Sequence, residues 1–376
     1  MRNYVGLDVS LKTTSVCILD EKGKRLLEGE VDSTPEAVDD FLQETGLEIE
    51  QIGLESGNLT HYLKKGLPKM KYRVVVMESR IMAAILATII NKTDKNDARG
   101  IAEALRVGHF RECVHRSDEA VEIRTLLHMR QTAIEERTHI INSLRGHLKV
   151  YGIKFSKKAG KSFRGMVEKA VENLSPRIQR VILSLLNILD TLNQEILIMS
   201  KEVEKVASTN EDVQLLQTID GVGPITALAF KAEVDDHNRF ENSKDVAAYI
   251  GLTPSQYSSG EVHRQGGISR KGSKRTRYLL VEAASALLTR CKAWSKLKAW
   301  GMKLQKKKGT RKATVAIARK LAVIMHCMWV DNKPFEPGEI ELKEIEKILK
   351  SNNLEKKKKS KNEMKKKATE VAEKVV

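Results

Sequence analysis

The first thirty residues alternate short apolar runs with polar breaks, which is the pattern of β-strands joined by turns. Residues 4–9, 15–20 and 25–31 are each long enough for one strand and contain several Val, Ile or Leu residues. A Glu-Lys-Gly-Lys turn at 21–24 separates the second run from the third. We therefore expect three neighbouring antiparallel strands.

Helical and strand-like segments alternate beyond residue 34. Helical periodicity covers residues 35–43, 59–67 and 81–90, and strand patterns stand between them at 52–55 and 72–77. Three strands followed by alternating helices and strands is the element order of an RNase H-like α/β domain. A RuvC-like domain has this order, so we expect that fold for residues 1–112.

The next hundred residues have helical periodicity and almost no strand signal. Two segments carry it, "EIRTLLHMRQTAIEERTHIINSLRGHLKVYG" and "IQRVILSLLNILDTLNQEILIMSKEVEKVA". Apolar residues at three- and four-residue steps bury one face of a helix without needing any chemistry. We expect two long antiparallel helices that form a coiled-coil arm over 113–210, either a spacer or a dimerisation element.

A mostly α-helical basic domain is expected over 211–332, followed by a lysine-rich tail at 333–376. Its first two helical stretches hinge on Gly221-Val222-Gly223-Pro224, a turn that resembles the helix-hairpin-helix element. The backbone N–H groups of Gly221 and Gly223 could contact a phosphate, although a plain turn would explain the glycines equally well.

Charge is concentrated in this last domain. The whole chain has 66 Lys and Arg against 49 Asp and Glu, a formal net charge of +17. Residues 259–312 alone have 16 Lys and Arg but only two acids, which is a local net of +14. Such a surface favours a polyanionic partner, and nucleic acid is the obvious candidate.

Composition excludes several other classes of protein. The four cysteines stand far apart without a C-x-x-C pair, so neither a disulfide framework nor a zinc ribbon is indicated. The longest apolar run, residues 81–90, is too short to span a bilayer, and the first residues have no signal-peptide pattern. We expect a cytoplasmic, nucleoid-associated protein with no membrane partner.

Four carboxylates occupy positions that converge in an RNase H-like fold. Asp8 lies near the end of the first strand, Glu55 ends the fourth, and Asp94 and Asp97 stand three residues apart at the head of a helix. Carboxylates at close range repel one another unless a cation neutralises them, and their hard oxygen ligands favour Mg²⁺ or Mn²⁺. Two such ions about 4 Å apart would assist phosphodiester displacement.

Asp8 by itself would also suit a nucleotide site. Sugar kinases and actin-like ATPases open with a similar strand, but they repeat it in a second domain and offer a glycine-rich adenosine site. The later sequence is helical and then basic, and it has no such repeat. A metal site that acts on nucleic acid is therefore favoured over a phosphotransferase.

These motifs resemble the DEDD transposases of bacterial insertion sequences, a group that includes the Piv-type DNA invertases. The resemblance is carried by "GLDVS", "GLES" and "KTDKNDARGIAEAL" in the first half and by "IDGVGPITA" and "FENSKDVAAYIGLTPSQYSSGEVHRQGGISRKGSKRTRYLL" in the second. It covers residues 3 to 330.

The resemblance implies a recombinase in which both domains act. The tetrad Asp8, Glu55, Asp94 and Asp97 would bind two divalent ions, and a serine of the second domain would attack DNA and form a covalent phosphoserine link. Ser259, directly before Gly260, fits the Ser-Gly step of the family, and Ser258 is the alternative nucleophile. In the better-understood members a noncoding bridge RNA pairs with donor and target DNA, and active sites are assembled between protomers. We therefore expect DNA, a guide RNA and a homo-oligomer, a dimer that assembles to a tetramer, as partners.

Cations near the serines are the expected phosphate contacts. They are Arg264, Arg270, Lys271, Lys274, Arg275 and Arg277. Each alone could equally be an ordinary solvated charge. The enzyme alternative is a RuvC-like, Mg²⁺-dependent nuclease that hydrolyses branched DNA without a serine intermediate. The non-enzyme alternative is a basic nucleic-acid-binding scaffold.

Overall fold

The computed structural model describes residues 2–88, 91–155, 162–260 and 262–339, and isolated positions between 341 and 348. The chain divides into two compact units, Met1–Ser117 and Asp118–Val376. Each unit has its own core and is described separately. The lysine-rich tail lies almost wholly outside the described residues.

The first unit is built on a five-stranded mixed sheet. Its strands are β1 (Asn3–Val9), β2 (Thr13–Asp20), β3 (Arg25–Asp32), β4 (Ile49–Glu55) and β5 (Val74–Met77). The order across the sheet is β3-β2-β1-β4-β5, with β1, β2 and β3 antiparallel and β1, β4 and β5 parallel. The three predicted antiparallel strands and the two later strands are confirmed, and the mixed α/β order is compatible with an RNase H-like domain.

Four α-helices accompany this sheet in the described residues. They are α1 (Pro35–Glu44), α2 (Thr60–Gly66), α3 (Ser79–Leu86) and α4 (Asp94–Val107). The predicted helix over 81–90 is α3, which begins two residues earlier, while positions 89 and 90 lie outside the described residues. The threonine before α4 caps it, because the Thr93 hydroxyl accepts from the Asn96 N–H.

Helix α4 packs directly on the central strand because Gly6 lacks a side chain. A Cβ at Gly6 would lie 2.1 Å from the Ala98 carbonyl oxygen and 2.4 Å from the Ala102 nitrogen. The absence of a side chain at this position therefore allows the backbones of β1 and α4 to lie in direct contact. This contact fixes the start of α4 relative to the end of β1.

The second unit begins with two long helices, as predicted. They are α5 (Asp118–Leu148) and α7 (Pro176–Thr209), and the short helix α6 (Phe163–Val171) precedes α7. Asn210 donates to Glu119 at 2.8 Å, and Arg130 Nε donates to Ser200 Oγ at 2.8 Å. The contact nearer the start of α5 lies nearer the end of α7, so the two helices are antiparallel.

The remainder of the second unit is mainly helical. Its helices are α8 (Glu211–Leu216), α9 (Pro224–Val234), α10 (Ser243–Tyr249), α11 (Lys274–Thr289), α12 (Lys296–Lys308) and α13 (Thr310–Asp331). One buried apolar cluster joins these helices to the N-terminal end of α5 and the C-terminal end of α7, with Ile123, Val203, Phe230 and Leu321 among its members. The base of the arm is thus part of the same core as the basic region.

Two strands interrupt the helices where the sequence gave no strand signal. They are β6 (Pro254–Ser259) and β7 (Val262–Ile268), which pair antiparallel as a separate two-stranded sheet. The mostly α-helical domain expected over 211–332 therefore also contains a small sheet that was not predicted. We call residues 254–268 the serine hairpin.

Helices α7 and α13 are each long and apolar enough, by length and composition alone, to cross a membrane. The search for uninterrupted apolar runs missed them because polar residues are interspersed along both. More than half of the apolar stretch in α13 is buried within the second unit, as in the core helix of a globular domain.

Candidate active site and nucleic-acid interface

Asp8 and Glu55 are held side by side by the parallel pairing of β1 and β4. Leu7 is opposite Leu54 in the register, so the next residue of each strand is one of these two acids. Leu7 and Leu54 are fully buried, which anchors both strands immediately before the carboxylates. The acids therefore leave the sheet at the same edge.

Asp94 and Asp97 reach the same edge from the first turn of α4. Asp97 is buried, with 7% of its surface exposed, whereas Asp94 is exposed and Asp8 and Glu55 are half-buried. The Gly6 contact and the Thr93 cap determine where this first turn lies. We call the four residues Asp8, Glu55, Asp94 and Asp97 the carboxylate edge.

The pKa of Asp8 shows that the four acids share one electrostatic environment. Burial and then the negative charges of Asp97, Asp94 and Glu55 raise this pKa from 3.8 to about 6, and nearby Lys92 opposes the shift. Such a site favours a bound cation, because a cation would relieve the repulsion among the carboxylates.

All four members of the carboxylate edge offer hard oxygen ligands, which fit Mg²⁺ or Mn²⁺. In the part of the chain that the structure describes, no three His, Cys, Asp or Glu side chains already stand together as a ligand set. An ion held here would have to draw the carboxylates closer together.

Hydrogen bonds between serine hydroxyls stabilise the segment that follows Glu55. The Ser79 hydroxyl donates to the Ser56 carbonyl at 2.7 Å, and the two hydroxyls are 2.6 Å apart. The Ser56 N–H donates to the Met77 carbonyl at 2.9 Å. Sequence reasoning missed Ser56 and Ser79 because their contact joins residues 23 positions apart, whereas the Thr93 cap has a local signal that could have been found.

The two candidate serines lie on opposite faces of the serine hairpin. Successive residues of a strand point to alternate faces, and Ser258 is opposite His263 while Ser259 is opposite Val262. The Ser258 Oγ and the His263 Nδ1 are 3.1 Å apart. Both serines are exposed, and Gly260 follows them with φ +55°.

The base of the serine hairpin is fastened to the helical core. The Ser269 N–H donates to the Thr253 carbonyl at 2.8 Å. The Arg277 Nη1 donates to three carbonyls, those of Ile250, Lys271 and Gly272, at 2.8–3.0 Å. Arg277 therefore anchors the returning strand, a role that its place among the expected phosphate contacts did not anticipate.

The other expected phosphate contacts differ in exposure. Arg264, Arg270, Lys271 and Lys274 are exposed on or just after the hairpin, whereas Arg275 is half-buried. Burial and the neighbouring charge of Arg130 lower the pKa of Arg275. Two cations beside each other in a poorly hydrated setting would both be stabilised by an anion.

Gly221 and Gly223 play different parts in the turn before α9. Gly221 has φ +89°, and a Cβ there would lie 2.8 Å from the Ala283 carbonyl oxygen of α11. Gly223 caps α9 and has no atom within 4 Å of its Cβ position. Helix packing thus explains Gly221, while Gly223 has room for an approaching phosphate.

Comparison with known proteins identifies both halves of the chain. Residues 5–153 match a DEDD transposase family of the IS110 type, and residues 213–299 match the "Transposase IS116/IS110/IS902 family". The first match contains the carboxylate edge and the second contains the serine hairpin.

Individual relatives agree with this result. The transposase for insertion sequence element IS1111A of Coxiella burnetii is 34% identical over 252 residues, covering 66% of this chain and 69% of the relative. The transposase for insertion sequence element IS1328 of Yersinia enterocolitica is 26% identical over 274 residues, 73% of this chain and 81% of the relative. The pilin gene-inverting protein of Moraxella bovis is 32% identical over 131 residues, 34% of this chain and 39% of the relative. This chain therefore belongs to the IS110 family of DEDD transposases and is an enzyme that moves insertion-sequence DNA.

Proposed function

We propose that this transposase cuts and exchanges DNA strands with a metal-dependent carboxylate edge and a covalent serine–DNA intermediate. The observation that carries the proposal is the parallel pairing of β1 and β4, which holds Asp8 beside Glu55 at the edge that Asp94 and Asp97 reach from the first turn of α4. Burial and the charges of the other three acids raise the pKa of Asp8, in agreement with this arrangement. Like charges gathered at a sheet edge are costly for a fold, and a divalent-metal site gives them a use.

The carboxylate edge would hold two Mg²⁺ or Mn²⁺ ions through Asp8, Glu55, Asp94 and Asp97. When bound, such ions lower the pKa of an attacking hydroxyl and stabilise a leaving oxygen in phosphodiester displacement. Asp8 and Glu55 offer rigid ligands because strand pairing fixes their backbones. Asp97, which is buried at the head of α4, would approach the ions from the helix and not from the two strands.

The covalent step uses a serine hydroxyl of the hairpin. Ser259 is the first candidate, because it precedes Gly260 in a Ser-Gly pair like that of the family. Ser258 is the second. The serine oxygen forms a bond to phosphorus while the scissile bond to the sugar oxygen breaks. The serine gives up its proton, and the departing sugar oxygen takes one up.

The nucleic-acid surface comprises the hairpin and the residues that follow it. Exposed Arg264, Arg270, Lys271 and Lys274 would contact phosphates, with Arg275 and the turn at Gly221 and Gly223 as further contacts. The local net charge of +14 over residues 259–312 supports binding of a polyanion.

A noncoding guide RNA and a homo-oligomer complete the proposal. The guide RNA would share the basic surface with DNA and select the sites of exchange by base pairing. The long helices α5 and α7 would serve the assembly of protomers as a dimer and then a tetramer. The protein would act in the cytoplasm, on the nucleoid.

The test combines a metal-ligand variant with the two serine variants. Asp97→Asn should reduce strand cleavage by about 10³-fold or more, since metal assistance is worth several kcal/mol and each 1.36 kcal/mol is a factor of ten. DNA binding should change little. Asp40→Asn, an exposed acid on α1, is the matched control.

The intermediate is detected as protein attached to labelled DNA after denaturation. Ser258→Ala or Ser259→Ala should abolish the attachment. Cleavage that persists without attachment in the single and double serine variants would indicate a hydrolytic nuclease. Unchanged cleavage in Asp97→Asn would remove the carboxylate edge from the mechanism.

A further inference from the structure

The exposed apolar side chains of the serine hairpin lie on the face of Ser259. Tyr257 and Val262 are the large apolar residues that the described part of the hairpin exposes, with 67% and 44% of their surface accessible. Val262 is opposite Ser259 in the register. Tyr257, two positions before Ser259, is opposite Arg264. Because strand residues alternate between faces, these side chains share one face. The other face carries polar side chains, namely Gln256, Ser258, His263 and Gln265.

The fold itself makes no use of the Tyr257 ring. Among the described residues, this ring stacks on no other ring, no cation lies over it, and its hydroxyl has no hydrogen-bond partner. A tyrosine that stabilises a fold packs its ring and pairs its hydroxyl. The Tyr257 side chain is therefore available to a ligand.

The spacing of Tyr257 and Ser259 matches the size of one nucleotide. Residues two positions apart on a strand are about 7 Å apart, which is comparable to the separation between a phosphate and the base of the same nucleotide. A phosphate in contact with the Ser259 hydroxyl therefore brings a flanking base to the Tyr257 ring. Arg264, beside Tyr257 on the neighbouring strand, supplies positive charge for the same stretch of backbone.

We propose that Tyr257 binds the substrate by stacking its ring on the base next to the phosphate that Ser259 attacks. The inference rests on the proposed serine mechanism, with Ser259 as the nucleophile, and adds the residue that holds the reacting nucleotide in place. Strand exchange separates the bases on the two sides of the cut, which leaves one of them with an open face. Every base has a π-face, so the contact holds the nucleotide without reading its sequence.

The test measures covalent attachment of the full chain to labelled, cleavable DNA in the presence of Mg²⁺. Tyr257→Leu removes the aromatic ring and keeps an apolar side chain, so attachment should slow by about 10–100-fold, the usual contribution of one base–aromatic stack. Tyr257→Phe keeps the ring and should react at the wild-type rate. Gln256→Ala, the neighbouring residue on the opposite face, is the matched control and should also react at the wild-type rate.

DNA that lacks one base beside the scissile phosphate locates the contact. Wild type should slow by the same factor when the stacked base is absent, and Tyr257→Leu should lose nothing further on that DNA, because both changes remove one interaction. If Tyr257→Leu slows attachment to intact DNA and to DNA lacking either flanking base by the same factor, the ring contacts another surface and the inference is overturned. A slow Tyr257→Phe would assign the effect to the hydroxyl and would also overturn it.

A binding measurement separates this inference from the proposed function. With a fluorescent purine analogue as the stacked base, wild type and Tyr257→Phe should quench its fluorescence on binding, and Tyr257→Leu should not. Equal quenching by wild type and Tyr257→Leu, with attachment lost in Ser259→Ala, overturns the stacking contact and leaves the serine mechanism standing. Attachment that persists when both Ser258 and Ser259 are replaced by alanine overturns the serine mechanism, on which the inference rests.

Discussion

The carboxylate edge and the serine hairpin differ in how firmly the surrounding structure holds their functional groups. Asp8 and Glu55 follow fully buried leucines in a five-stranded sheet, and Asp97 is itself buried. Ser258 and Ser259 lie on an exposed two-stranded hairpin that is fastened at its base. The core therefore fixes the acids before any ligand arrives, whereas the serines have only their cross-strand partners. A site that must gather like charges needs such a rigid support, since repulsion would otherwise separate them.

The largest effect should come from filling the space at Gly6. Gly6→Ala places a Cβ 2.1 Å from the Ala98 carbonyl oxygen, so α4 must move. We expect a loss of about 3 kcal/mol or more in the free energy of unfolding, at or above the upper end of the usual cost of overpacking, because the atoms that must move belong to the backbone. Displacement of Asp94 and Asp97 should also slow cleavage by about 10²-fold.

Gly57→Ala is the control for this comparison. Its Cβ would have no neighbour closer than 4.0 Å, although it lies just two residues after Glu55. Denaturant unfolding and strand cleavage, measured on both variants, check the prediction. Equal behaviour of the two would mean that the close packing of α4 does not position the acids.

Substitution of Arg277 tests whether its hydrogen bonds hold the base of the serine hairpin to the helical core. Arg277→Met removes the donor to the Ile250, Lys271 and Gly272 carbonyls, so we expect a loss of about 2–3 kcal/mol in the free energy of unfolding. Arg270→Met, an exposed cation nearby, should change it by no more than about 0.5 kcal/mol while weakening DNA binding. Chemical denaturation checks both. Similar losses in the two variants would contradict the anchoring role of Arg277.

The pH dependence of stability tests the environment of Asp8, where burial and then the charges of the other three acids raise the pKa. Because the folded-state pKa of Asp8 is about 6 and its ordinary value is 3.8, the folded metal-free protein binds this proton more tightly than the unfolded chain. The stabilisation from this proton is fully present below pH 3.8 and is lost as the pH rises through 6. With solvent screening, the loss should be about 1 kcal/mol.

Thermal unfolding of wild type and Asp8→Asn between pH 4 and 7 measures this effect. The wild type should lose stability relative to Asp8→Asn over that range. Mg²⁺ should recover the loss at pH 7 and have less effect at pH 5, where the proton competes with the ion. Parallel pH profiles would show that the folded protein does not raise the pKa of Asp8.

The smallest effect concerns single phosphate contacts on the hairpin. Arg264→Gln should reduce the slope of log affinity against log salt by about 1, as expected for one lost phosphate contact. Arg180→Gln, an exposed cation on α7, is the control and should leave the slope unchanged. Titrations at several salt concentrations check this, and equal slopes for wild type and both variants would remove Arg264 from the interface.

Sequence patterns predicted the first unit well because its elements follow local rules. Short apolar runs between polar breaks marked β1 and β2, and Asp94 and Asp97 were expected at the head of a helix, which begins at Asp94. The serine hairpin was missed because its strands contain serine, glutamine and glycine in place of alternating apolar residues. An exposed hairpin buries neither face, so it leaves no period-two signal.

The sequence by itself therefore determined which functional groups the protein has. They are four acids at strand and helix ends, a basic region and two serines beside a glycine. The convergence of the four acids was expected from the fold class, but only the tertiary structure decided which contacts bring the groups together. Parallel pairing put Asp8 beside Glu55, the missing side chain of Gly6 brought α4 to them, and antiparallel register put His263 against Ser258. It also turned Arg277 toward backbone carbonyls while Arg270 stayed exposed. Residue type fixes what a group can do, but its partners depend on contacts between distant segments, which local patterns do not encode.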